Sequence, residues 1–186
     1  PADRSRGSGW RAPRRLPAAR ATRFLETDLL AIVGAFGICI VGLWLRHGGF
    51  AALRGNTTSI AESLTQLTGV VASGVGLAGL ALVGRPRAVE RHFGLDRMFV
   101  WHRILGEMMA ILVGLHVITG IVAWAGGSDY LGAIKDLTGR EAYMALASVG
   151  ALIIGVVTVS SLANVRRQVS YETWYYVHIT AYLAVL

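Results

Sequence analysis

The chain has 186 residues, 54% of them hydrophobic and 23 of them glycine, with a formal net charge of +7. Soluble domains run at about 45–50% apolar, and here the apolar residues are gathered into long blocks, the pattern of an integral membrane protein. The basic residues sit at the ends of those blocks and mostly on one side, which fits a bilayer surface and argues against nucleic acid as the partner.

Pro1 to Arg23 carries seven arginines among Pro, Gly, Ser and Ala, with almost no acid. Such a stretch cannot build a core, so residues 1–28 read as a basic, disordered cytoplasmic tail. Arg14-Arg15 is a twin arginine. However, Glu26 and Asp28 precede the apolar block and no small-residue cleavage site follows it, which favours a tail that touches anionic headgroups over a targeting peptide.

Leu29 to Leu45 is a run of seventeen uncharged residues, at the short end of what can cross a bilayer. Cys39, the only cysteine, lies inside it, so disulfides, a zinc cluster and a C-x-x-C-H haem attachment are excluded. Arg46, His47, Gly48 and Gly49 close this span. A second span runs from about Ser63 to Gly84, with Gly69, Gly74, Gly76 and Gly79 along it. Small residues at these spacings let a neighbouring helix, or a flat cofactor, approach closely, and ordinary membrane packing is the commoner reason for them. Arg85-Pro86-Arg87 ends the span, and a charged connector to Arg97 holds His92, which reads as a solvated loop histidine.

The third span, Asp96 to Trp124, carries His102 and His116, fourteen residues apart. Fourteen steps of 100° make about 1400°, within roughly 40° of whole turns, so both rings leave one helix face. The rise between them is about 21 Å of a hydrocarbon thickness of about 30 Å, which puts one imidazole near each leaflet. A polar loop, Gly126 to Glu141, leads to an uncharged fourth span, Ala142 to Val165, closed by Arg166-Arg167. A short connector with Glu172 then reaches Trp174-Tyr175-Tyr176, an aromatic belt at headgroup level. There a fifth span begins, with His178 one turn inside, and it stops at Leu186 in mid-run. With its start at Pro1, that marks the chain as a piece of a longer one. The fold class is all-α: a polytopic transmembrane helical bundle with five spans, the fifth truncated.

The N-terminus and the second-to-third and fourth-to-fifth connectors, with Arg103, hold fourteen of the eighteen Lys and Arg residues. By the positive-inside rule they are cytoplasmic. His102 and His178 then lie at matching depth near the inner face, and His116 lies near the outer one. An ionisable ring inside a membrane is costly and is a functional candidate by default. A lone one is as often a hydrogen-bonded packing residue, but here three share one geometry. Neutral imidazole is a good axial ligand for haem iron, and two of them make a six-coordinate site suited to electron transfer. Between the rings on the same face lie Gly106, Met109 and Val113. Gly106 removes a side chain next to His102 and would leave a porphyrin room against the helix. Glu107 points roughly 140° away; it is expected to pair with a connector arginine and is given no chemical role. Zinc would want closely spaced i, i+4 ligands, and a proton relay would want mid-membrane carboxylates in other spans; neither pattern is present. No residue is singled out as catalytic.

Leu95-Asp96-Arg97 before His102, the step to His116, Val159-Ser160-Ser161, Arg166-Arg167, Tyr171-Glu172 and Tyr176-Val177-His178 resemble the ferric reductase-like transmembrane domain. That domain is shared by ferric-chelate reductases, NADPH oxidases and bacterial relatives. The resemblance covers about Leu29 to the end and is strongest in spans three to five. It implies six helices and a haem-binding domain over residues 29–186, with two b-type haems stacked across the plasma membrane. By the same resemblance, His102 and His178 are the iron ligands of the inner haem and His116 is one ligand of the outer haem, whose other ligand lies beyond Leu186. A cytoplasmic module, on the same chain or a partner, supplies electrons from NAD(P)H through FAD; no G-x-G-x-x-G loop for it is present here. The acceptor is a ferric chelate or oxygen. Oxidases of the family often carry a second histidine a turn after the outer ligand, where this chain has Gly120, so a superoxide-producing role is less favoured. The alternative within redox chemistry is a haem subunit that passes electrons from a separate flavoprotein or quinone to a periplasmic reductase. Outside it stands a cofactor-free transporter or structural bundle.

Overall fold

The structure, a computed structural model, describes residues 18–139 and 142–185. Most of the expected disordered tail, residues 1–17, lies outside the described residues, as do Arg140 and Glu141 at the end of the expected polar loop. The described residues form helices and no strand. In chain order these are α1 (Ala18–Arg46), α2 (Gly49–Ala52), α3 (Thr57–Val83), α4 (Arg87–Ala125), α5 (Tyr130–Gly139), α6 (Ala142–Ser161), α7 (Ala163–Arg166), α8 (Tyr171–Ile179) and α9 (Ala181–Val185). The described residues fall into two units, divided between Gly37 and Ile38. In the first unit the described residues are helical from Ala18 on, inside the stretch expected to be tail. Pro17 is the last helix breaker there, and Ala18, Ala19 and Ala21 favour helix strongly.

Among the described residues three helices are long and apolar enough to cross a membrane: Thr57–Val83, Val89–Ala125 and Tyr143–Ser161. Ala31–Arg46 is a shorter apolar helix. The expected fifth span is two short helices, α8 and α9. At the turn between them the Thr180 hydroxyl donates to the Val177 carbonyl at 2.6 Å, which also accepts from the Thr180 N–H at 3.2 Å. A side chain that competes for a helix carbonyl in this way tightens or breaks the last turn.

Two expected loops are helical. The charged connector folds as the first turns of α4, and the break falls at Gly94 with φ 74° and ψ 158°, backbone that glycine alone adopts readily. Upstream, Arg85 takes φ 49° and pairs with Glu90 at 2.8 Å. That hydrogen bond, followed by the carboxylate's charge, holds the exposed Arg85 guanidinium still more firmly protonated. His92 is therefore a half-buried helical residue, edge-on to Phe93, and not a loop histidine. The expected Gly126–Glu141 loop contains α5, whose start is capped by Asp129 accepting from the Gly132 N–H at 2.8 Å.

Packing in the second unit runs through α3. Its buried residues are all small: Ala61, Ser63, Ala72, Gly76 and Gly79. Large apolar side chains face outward instead, with Ile111 65%, Leu146 72% and Leu152 67% exposed. Close backbone approach over small residues with an apolar exterior is how helices associate in lipid, where burying more apolar surface gains nothing.

Candidate histidine site

α3 and α4 run antiparallel, and the α4 face holding both histidines lies against α3. The His102 Nδ1 donates to the Gly79 carbonyl at 3.1 Å, and the His116 Nδ1 donates to the Thr65 carbonyl at 2.9 Å. A carbonyl can only accept, so in both rings the hydrogen is on Nδ1 and the lone pair is on Nε2. Thr65 and Gly79 are fourteen residues apart, as are His102 and His116, so each ring meets the carbonyl that faces it. Each carbonyl takes this bond on the second lone pair left by the helix ladder.

The α3 glycines make that approach possible. A Cβ on Gly69 would stand 2.8 Å from the His116 Nδ1 and 2.9 Å from its Cε1. A Cβ on Gly76 would meet the Met109 sulfur at 2.8 Å. Met109 thus spaces α3 from α4 midway between the two rings. Val113 is half-buried on the same side. Gly106 is exposed, and a Cβ added there meets nothing within 4 Å, so open space lies one turn from His102. Thr119 adds a second link near His116, with its hydroxyl 2.8 Å from that of Thr65. Glu107 pairs with Arg103 of its own helix at 2.9 Å, not with a connector arginine.

His178, on α8, comes to His102: the ring centroids are 6.1 Å apart and the planes cross at 74°. Its surroundings differ from those of the α4 histidines. The Ser161 hydroxyl, on the last residue of α6, spends its one hydrogen on the Val157 carbonyl at 2.7 Å. Its oxygen then accepts from the Trp174 Nε1 at 3.4 Å and from the His178 Nδ1 at 3.5 Å. With the hydroxyl hydrogen on Val157, the His178 Nδ1 is left as the donor of this long contact, and the neutral ring then carries its lone pair on Nε2. Trp174, one turn before it, stacks on the ring at 4.9 Å and 26°, and the Arg166 guanidinium lies 4.7 Å over Trp174.

The fit to a shared metal can be tested on these distances. Two imidazoles bound to one atom through Nε2 have centroids about 6.3 Å apart, from two bonds of about 2.0 Å and two ring radii of about 1.15 Å. The 6.1 Å separation agrees. Among the described residues no group of three or more His, Cys, Asp or Glu side chains gathers to hold a metal. With the open space beside Gly106, the residues fit an iron whose other ligands come from a flat macrocycle.

Residues 68–186, close to two thirds of the chain, match the family described as ferric reductase like transmembrane component. The chain belongs to that family. No curated protein and no solved structure matches it. The part shared with the ferric reductase-like family holds His102, His116, His178, Ser161 and Trp174, while Thr65 lies just before it. Family and spanning helices together make this a multi-pass membrane protein.

Sequence reasoning missed the Thr65 and Gly79 carbonyls, which any residue type can supply and which therefore leave no signal. The aromatic-belt pattern hides a second role for Trp174, whose i, i+4 spacing to His178 is the spacing at which rings on a helix meet. Ser161 was noticed only as part of a motif.

Proposed function

We propose that this domain carries single electrons across the plasma membrane through two b-type haems. The electrons come from a cytoplasmic NAD(P)H/FAD module and leave to a ferric chelate or oxygen on the outer side. The observation that carries the reading is the His102–His178 pair, 6.1 Å apart with both Nε2 lone pairs available. In it His102 and His178 are the axial ligands of the inner haem and His116 is one ligand of the outer haem. When bound, such a group supplies reversible one-electron chemistry at iron held six-coordinate. The chain's own part is positioning. Gly79, Thr65 and Ser161 fix which nitrogen carries the lone pair, and Gly69 lets the His116 ring reach α3. The reading takes α1, and α8 with α9, as crossings beside the three long apolar helices, five spans with a cytoplasmic N-terminus, and the concentration of basic residues on one side supports that orientation.

The full chain purified in detergent should give a b-type spectrum on reduction with dithionite. His102→Ala and His178→Ala should each remove the inner haem while His116→Ala leaves it. A colourless preparation that takes up no added haem would sink the reading, and full haem content in His102→Ala or His178→Ala would sink the pairing.

A further inference from the structure

The two α4 histidines rest on main-chain carbonyls, whereas His178 rests on a side-chain hydroxyl. That hydroxyl is not free to turn. Its hydrogen is held by Val157 at 2.7 Å, so its oxygen faces Trp174 and His178 purely as an acceptor. Trp174 stacks on the imidazole and limits its rotation about Cβ–Cγ, and Arg166 backs Trp174 in turn. One small residue at the end of α6 is therefore placed to set the tautomer of a ring on α8. This rests on the bis-histidine reading. Given that reading, we infer that Ser161 is a positioning residue: it holds His178 with the hydrogen on Nδ1 and lowers the reduction potential of the inner haem relative to a site without the hydroxyl. An acceptor on Nδ1–H makes the ligating nitrogen more basic, and a more basic ligand favours ferric iron over ferrous.

The test compares Ser161→Ala and Ser161→Thr with the unchanged full chain by redox titration of both haems, followed optically, with haem content per chain measured alongside. Ser161→Ala should keep its haem and raise the inner midpoint by about a three- to tenfold loss of ferric preference, roughly 30–60 mV at 59 mV per tenfold for one electron. The outer haem should not move, and Ser161→Thr should restore the original value. Loss of the inner haem in Ser161→Ala with retention in Ser161→Thr also supports the role. An unchanged inner midpoint in Ser161→Ala overturns it, as does equal loss of haem from both variants. An unchanged chain that binds no haem at all fails the bis-histidine reading itself, which is a separate outcome.

Discussion

At the scale of the residue, what matters is which neighbour can give way. A Cβ on Gly69 would press on the His116 ring, and that ring is pinned by its bond to the Thr65 carbonyl at 2.9 Å. A Cβ on Gly76 would press on the sulfur of Met109, the mobile part of a side chain with three rotatable bonds. The two contacts are equally short, yet their consequences should differ. Gly76→Ala is expected to change stability by less than about 1 kcal/mol, because the thioether swings aside and alanine is the better helix former. Gly69→Ala should cost about 1–3 kcal/mol, the usual penalty for overpacking, and should disturb the outer haem in preference to the inner one. Thermal unfolding in detergent, with the two haem signals followed separately, checks both. Equal loss in the two variants would mean that the His116 ring is as free to move as Met109.

At the scale of the element, the glycine at the base of α4 separates a short basic helix from the span. Gly94 sits at φ 74° and ψ 158°, where a side chain costs about 1–3 kcal/mol. Gly114, inside the same helix, has nothing within 4 Å of an added Cβ. Gly94→Ala should therefore lower the unfolding midpoint. Gly114→Ala should hold or raise it, since alanine gains about 0.5–1 kcal/mol over glycine within a helix. A Gly94→Ala protein as stable as the parent would show that the break can close into continuous helix. The same elements show what was legible in advance. The shared face of His102 and His116 followed from the 3.6 period, and both rings do turn to α3. Equal depth was expected of His102 and His178 from the positions of their spans, their pairing was implied only by the family resemblance, and the two rings do lie 6.1 Å apart. The helical connector and α5 did not, because charged and polar stretches carry no apolar period and their caps, Pro86 and Asp129, look like any turn residue. The carbonyl partners were illegible for a deeper reason: backbone chemistry is the same at every position, and only the packing of α3 on α4 selects Thr65 and Gly79.

At the scale of the whole molecule, the proposed electron transfer depends on direction, since a donor on one side and an acceptor on the other would be useful only with the two proposed haems ordered between them. Fourteen of the eighteen Lys and Arg residues fall in the N-terminal stretch, between Arg85 and Arg103 at the start of α4, and in Arg166-Arg167, which predicts that these are cytoplasmic. The turn between α4 and α5, with Ser128, is then outside, and Arg167 is inside. Cys39 is the only cysteine, so a Cys39→Ser background leaves the chain clean for single labels. In intact cells a membrane-impermeant maleimide should modify Ser128→Cys and should reach Arg167→Cys only after permeabilisation. The reverse pattern would turn the molecule over, put His102 and His178 near the outer face, and make His116 the ligand nearest the electron donor. Haem binding at each histidine would survive that result, but the assigned direction of electron flow would not. Orientation and ligation therefore stand or fall on different measurements, although both were read from the same five stretches of chain.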